Sequence, residues 1–272
     1  MNKIALIYDF DRTLSPKDMQ EFHYFSSFGY KAASDFWNEC DSLKQKYNMD
    51  SILAYMLMMK NVSPNLTKQD LINEGKYIKL YKGVESWFKR INEYGKKKNI
   101  QVEHYIISSG LRDMIMGTSI SKEFKKVYAC TYAYDKNNKV LWPARVINYT
   151  TKTQYLFRIN KGVLTETNDF DLNRSTPENE KYISFENMIY IGDGMTDVPS
   201  MKVVQQGGGT AIAVYDPKCH KKKDALELKE KNRVDFLCEA DYSQGSTIDK
   251  TIKGIIDIVS ARKELEKLSN KK

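Results

Sequence analysis

Four aspartates and one serine stand where short apolar runs of this chain stop. Asp9 and Asp11 follow the run 3–8, Ser108 follows 102–107, and Asp193 and Asp197 follow 187–191. Runs of this length and composition predict β-strands, and in an open parallel sheet ligands bind outside the carboxyl ends of the strands. Residues about a hundred positions apart can therefore meet at one site. Four carboxylates brought together repel one another unless a cation joins them. Mg²⁺ suits such a set, because it prefers hard oxygen ligands and keeps waters that a substrate phosphate can replace. An isolated aspartate is more commonly a helix cap or turn residue, a use that explains one such strand end easily and three poorly.

The elements that must position these residues follow from patterning. After the strand at 3–8, residues 16–82 lose strand character, turn helical and become rich in aromatics and methionine. Gly83 and a helix at 84–94 lead into the strand at 102–107, then a helix at 111–118. Segments 127–134 and 140–147, around a turn at 135–138, predict a hairpin. A helix at 151–160 precedes a polar, irregular loop at 163–184. The strand at 187–191, the glycines 207–209, a strand at 210–215 and a helix at 248–268 complete the chain. Strands alternating with helices imply an α/β fold with a mostly parallel sheet, interrupted by a helical insertion at 16–82.

Four stretches, in order, carry a family resemblance. Asp9-Phe10-Asp11-Arg12-Thr13 resembles the first motif of the haloacid dehalogenase superfamily, and Ile106-Ile107-Ser108 the second. Lys152, near a helix start, is similar to the third, and Ile191-Gly192-Asp193-Gly194-Met195-Thr196-Asp197 to the fourth. The resemblance spans residues 3–215 and implies a Rossmann-like core at 1–15 and 83–272. An insertion at 16–82 resembles the helical cap of the phosphoserine-phosphatase-like branch.

On matching positions the resemblance implies Asp9 as nucleophile, forming an aspartyl-phosphate, and Asp11 as acid and then base. Relatives without the second aspartate are often dehalogenases or phosphate-transferring pumps, so its presence favours a phosphatase or phosphotransferase. Mg²⁺ would be held by the Asp9 carboxylate, the Asp11 main-chain carbonyl and Asp193, with Asp197 as a ligand or an orienter. Ser108, with the amides of Ser109 and Gly110, would bind phosphoryl oxygens, and Lys152 would neutralise their charge. Strand alternation lets only one of Ser108 and Ser109 face the site, and the resemblance selects Ser108. Lys161 is the runner-up to Lys152, and Arg12 occupies a variable motif position that suits a surface residue. The expected activity is Mg²⁺-dependent hydrolysis of a small phosphomonoester. Transfer to an alcohol through the same intermediate is one alternative, and a non-catalytic metal- or phosphate-binding regulatory module is another.

The insertion departs from the phosphoserine enzymes, which use a cap arginine for the substrate carboxylate. No arginine lies between Arg12 and Arg90, which puts phosphoserine in doubt as the substrate. Phe22, Tyr24, Phe25, Phe36 and Trp37 suit either the insertion's own core or contact with a ring-bearing leaving group. His23 reads as a cap or rim residue rather than a catalyst, and the hairpin at 127–147, which bears Trp142, as an element bordering the mouth of the site.

Composition narrows the remaining classes. Forty-one per cent hydrophobic residues in 272 suffice for a core, and no apolar run is long enough to span a bilayer. The net charge of +8 invites a nucleic-acid reading, yet it concentrates in 218–233 and 262–272. A basic loop and a basic tail read as solvated surface, not as a binding face. Two carboxylates end the first apolar stretch, which does not read as a signal peptide. The four cysteines are dispersed, and Cys219-His220 lacks partners at zinc spacing, so reduced thiols in a cytoplasmic protein are expected. Glycines 207–209 lack the Lys-Ser/Thr of a phosphate loop and read as a turn.

Overall fold

In the computed structural model, residues 2–218 and 222–269 are described, together with the side chains in that range other than those of 222–224. Cys219, His220 and the last three residues of the basic tail lie outside the described residues. The chain runs β1 (Asn2–Tyr8), α1 (Tyr24–Ser27), α2 (Ala33–Tyr47), α3 (Ser51–Val62), α4 (Lys68–Gly75) and α5 (Val84–Lys97). It continues through β2 (Ile100–Leu111), α6 (Arg112–Met116), β3 (Lys126–Tyr134), β4 (Val140–Arg145), α7 (Lys152–Lys161) and α8 (Asp169–Asn173). β5 (Met188–Gly192), α9 (Val198–Gln206), β6 (Thr210–Tyr215), α10 (Lys222–Glu230), β7 (Phe236–Glu239) and α11 (Thr247–Ser269) follow.

The strands form one seven-stranded sheet in the order β4-β3-β2-β1-β5-β6-β7. All pairs are parallel except β3 and β4, which make the hairpin expected from sequence. The fold is thus α/β and Rossmann-like. β1 sits at the centre, and its Ile4 to Tyr8 are wholly buried, as a strand covered on both faces requires. Helices lend their apolar stripes to the same core. α5 buries Val84, Trp87, Phe88 and Ile91, and α11 buries Ile248, Ile252, Ile256 and Val259. Among the described residues no helix is long and apolar enough to cross a membrane.

Between β1 and α5 the regular elements are all helical. The two ends of this segment are tied together, since Tyr81 N donates to Leu14 O at 2.9 Å. Two expectations need correction. The basic stretch 218–233 is not simply a loop: α10 lies within it and buries Ala225 and Leu228, three positions apart among charged neighbours. The stretch 163–184 contains α8 and a 3₁₀ turn at Glu178–Glu180. Buried Arg158 fastens it by donating to the carbonyls of Thr165, Glu166 and Asn168.

Candidate active site

The register of three neighbouring strands sets the site. Tyr8 of β1 lies level with Ile106 of β2 and Ile191 of β5. Asp9 is therefore one residue beyond the common level, and Ser108 and Asp193 are two beyond it. β1 is the strand on either side of which the chain order diverges, the place where an open α/β sheet leaves a crevice. Asp9 N donates to Ile191 O at 2.9 Å, and then the chain turns away, with Leu14 N bonded to Phe10 O.

Lys152 is completely buried, and its Nζ lies 2.9 Å from Asp9 Oδ2 and 2.7 Å from Asp197 Oδ1. Its position at the start of α7 is set by Asn148, whose Oδ1 accepts from the amides of Thr150 and Thr151. Burial would push the ammonium down, but the Asp197 and Asp9 carboxylates outweigh it and hold the lysine well above its usual range. Lys161 lies elsewhere, with its Nζ on the carbonyls of Leu172 and Arg174.

Asp197 is buried and accepts on Oδ1 from both Lys152 and Tyr190 Oη, the latter at 2.7 Å. Its Oδ2 has no hydrogen-bond partner. Gly192 permits this approach, because a Cβ there would meet Asp197 Oδ2 at 2.3 Å. Asp9, Asp193 and Asp197 each bring an oxygen within 4.8 Å of the others. Three hard oxygen donors and one partnerless buried carboxylate oxygen suit a divalent cation. The Asp11 carboxylate is not part of this group of three.

Asp11 points to a different wall. Its Oδ1 accepts from Met19 N at 2.8 Å, and Gly110 leaves room for it, since a Cβ there would stand 2.9 Å from Asp11 Oδ2. Burial, then the nearby Asp18, Asp9 and Asp193 carboxylates, push Asp11 well above the usual carboxylate range. Asp9 is raised to about 6, chiefly by burial, with Lys152 pulling against it. Ser108 is buried and its Oγ accepts from Gly110 N at 3.0 Å. Ser108, Ser109 and Gly110 all border the cleft, where the register of β2 against β3 shifts between Ile107 and Leu111.

The cleft has a volume of about 540 Å³ and is lined both by residues at the strand ends and by residues of α2 and α3, among them Trp37, Asp41, Lys44 and Tyr55. Tyr24, Phe25 and Phe36 are instead buried in the segment's own core, and Phe22 is partly buried against it, so the aromatics divide between the two uses. His23 bonds to Glu74 and stacks on Tyr77, away from the cleft. Trp142 is exposed on β4 and does not border the cleft.

Sequence reading missed three contributors. Tyr190 lies two residues before Gly192 in a wholly buried strand, where a hydroxyl must find a partner. Arg12 is not loose surface: it adopts a left-handed φ of 57° and pairs with Asp18 and Glu21 beside the cleft. Gln20 borders the cleft one residue after the amide that holds Asp11.

No protein-family model matches the chain. An uncharacterised protein of Borreliella burgdorferi is 29% identical over 278 residues, covering 91% of this chain and 94% of its own. Among solved structures, a haloacid dehalogenase-family hydrolase from Salmonella enterica serovar Typhi superposes with a TM-score of 0.57 at 18% identity, covering 86% of this chain. The chain spans 66% of that hydrolase's length. A phosphoserine phosphatase in its apo form superposes with a TM-score of 0.54 at 15% identity, over 87% of this chain and 93% of its own. The sheet order, the helical segment after β1 and these superpositions together show that the chain has the fold of the haloacid dehalogenase-family hydrolases, in the form seen in phosphoserine phosphatases.

Proposed function

We propose that the protein is a Mg²⁺-dependent phosphatase that hydrolyses a small phosphomonoester through an aspartyl-phosphate on Asp9. The observation that carries this reading is the buried Lys152 ammonium between Asp9 and Asp197, with a second, protonatable carboxyl, Asp11, beside them. Asp9 and Asp193 carboxylates and the Asp11 main-chain carbonyl would hold Mg²⁺, with Asp197 as a further ligand or an orienter. When bound, the cation offsets charge on the phosphoryl oxygens and on the crowded carboxylates.

Asp9 attacks phosphorus, and the ester oxygen leaves with a proton from Asp11, whose pKa is raised by burial and by the neighbouring carboxylates. Asp11, now ionised, takes a proton from the water that cleaves the acyl phosphate and so returns to its starting state. Lys152, Ser108 and the amides of Ser109 and Gly110 hold the transferring oxygens, so the site stabilises charge that spreads in the transition state. Asp197 and Tyr190 orient Lys152 without touching substrate.

The segment 16–82 acts as a cap that excludes water and contacts the leaving group, consistent with α2 and α3 walling the cleft. Within 16–82 the segment contributes Lys44 to the lining and has no arginine. Arg12, which precedes the segment and also borders the cleft, is paired with Asp18 and Glu21. This agrees with a substrate other than phosphoserine. A cytoplasmic location and a small phosphorylated metabolite as partner fit this chemistry. The test is turnover of p-nitrophenyl phosphate with Mg²⁺, its loss with EDTA, and its loss in Asp9→Asn. Undiminished turnover in Asp9→Asn would sink the mechanism.

A further inference from the structure

The end of β2 is gripped by side chains from outside the sheet. Pairing with β3 skips from Ile107–Tyr128 to Leu111–Cys130, so residues 108–110 leave the regular ladder where they border the cleft. Backbone groups freed from a ladder need other partners. Tyr55 Oη of α3 donates to Ser109 O at 2.8 Å, and Cys130 Sγ, a weaker donor, reaches the same oxygen at 3.3 Å. Leu111 N donates to Met19 Sδ at 3.1 Å. Tyr55 and Met19 both belong to the segment 16–82, so that segment shares with the sheet in setting the path of 108–111.

The Ser109 carbonyl and the Gly110 amide belong to one peptide unit. That unit is planar and trans, so its C=O and N–H point in opposite directions. Holding the oxygen on Tyr55 therefore aims the Gly110 amide the other way, where it donates to Ser108 Oγ at 3.0 Å. Glycine tolerates either sign of φ, so residue 110 itself sets little barrier to turning the peptide over. Its orientation depends on what grips the carbonyl, and the stronger grip is the tyrosine. Tyr55 is only 4% exposed, which keeps bulk water from competing for that bond.

We infer that Tyr55 is a positioning residue: by fixing the Ser109–Gly110 peptide, its hydroxyl aims the Gly110 amide at the transferring phosphoryl group. The inference rests on the phosphatase reading, in which that amide binds a phosphoryl oxygen, and extends it. Tyr55 acts through the peptide and not on the reacting atoms. Anion binding is thereby tied to the seating of α3 against the sheet, and the phosphoryl site is complete only while the helical segment is docked.

Ser109-Gly110 is the only Ser-Gly pair in the sequence, so cell-free protein made with carbonyl-¹³C serine and ¹⁵N glycine gives one carbonyl–amide NMR correlation, that of this peptide. With Mg²⁺, orthovanadate, an anion shaped like the transferring phosphoryl group, is expected to move this signal in the wild type. Tyr55→Phe is expected to shift or split the signal before vanadate is added, and to weaken vanadate roughly tenfold or more. Tyr132→Phe is the control: it too removes a hydroxyl bond to α3, at Met56 O, but that bond does not involve residues 108–110. It is expected to leave both the signal and the vanadate affinity as in the wild type. A fluorinated tyrosine at position 55, a stronger donor of the same shape, is expected to move the Ser109 carbonyl signal, and it decides the matter if the phenylalanine variant does not fold. Equal losses in Tyr55→Phe and Tyr132→Phe, a carbonyl signal that ignores the fluorinated tyrosine, or no effect of saturating vanadate on the wild-type signal would overturn the inference. Failure of the phosphatase reading looks different: vanadate moves the signal in the expected order of variants, but the wild-type protein hydrolyses no phosphomonoester.

Discussion

Lys152 keeps its charge in complete burial because two carboxylates face it, and each of the three depends on the others. Removing the cation leaves Asp9 and Asp197 buried without compensation, a change that in comparable sites costs about 3–5 kcal/mol. Lys152→Met is therefore expected to lower kcat by roughly 10²–10³-fold and to lower the melting temperature. Added Mg²⁺ should recover more stability in this variant than in the wild type, because the metal then supplies the missing positive charge. Thermal unfolding with and without MgCl₂ checks this. Nearby glycines set tolerances rather than chemistry: Gly192 and Gly110 stand where a methyl group would strike Asp197 and Asp11.

At the scale of elements, the helical segment is attached to the sheet by identifiable bonds. Tyr55 Oη donates to Ser109 O at 2.8 Å, and Tyr132 Oη of β3 donates to Met56 O of α3 at 2.7 Å. Replacing both tyrosines with phenylalanine should cost about 1 kcal/mol each. Hydrogen exchange should rise in α2 and α3 and stay unchanged in β1 and β5, if the segment opens as a unit. Central strands are readable from sequence because burial on both faces demands continuous apolar runs, as in Ile4 to Tyr8, and the polar residues ending them are conspicuous. β7 and α10 are not readable in that way. β7 is only four residues long, and α10 hides two apolar contacts among lysines and glutamates. The convergence of Asp9, Ser108 and Asp193 follows from strand register once a parallel sheet is assumed. The bond from Tyr190 to Asp197 and the orphaned oxygen of Gln20 depend on side-chain placement that no local pattern encodes.

For the molecule as a whole, the net charge of +8 gives way in importance to a few buried groups. His104 on β2 is enclosed between Tyr8 Oη and Asn92 Oδ1, and burial lowers its pKa from 6.5 to about 3. The folded protein keeps the imidazole neutral while the unfolded chain protonates it below 6.5. This contribution to stability is fully present above the unfolded value and is lost as pH falls towards the folded one. Urea unfolding at pH 7 and pH 5 should differ by about 2 kcal/mol from this residue alone, and His104→Gln should reduce the difference. The fold brings its three central strand ends to one carboxyl, so the central claim is decided at Asp9. Wild-type protein should be mixed with Mg²⁺ and a radiolabelled phosphomonoester, quenched in acid within the first turnover, and its peptides mapped. Label on the peptide containing Asp9, released by hydroxylamine and absent from Asp9→Asn, is the expected result. Turnover at an undiminished rate with no label on that peptide would contradict it.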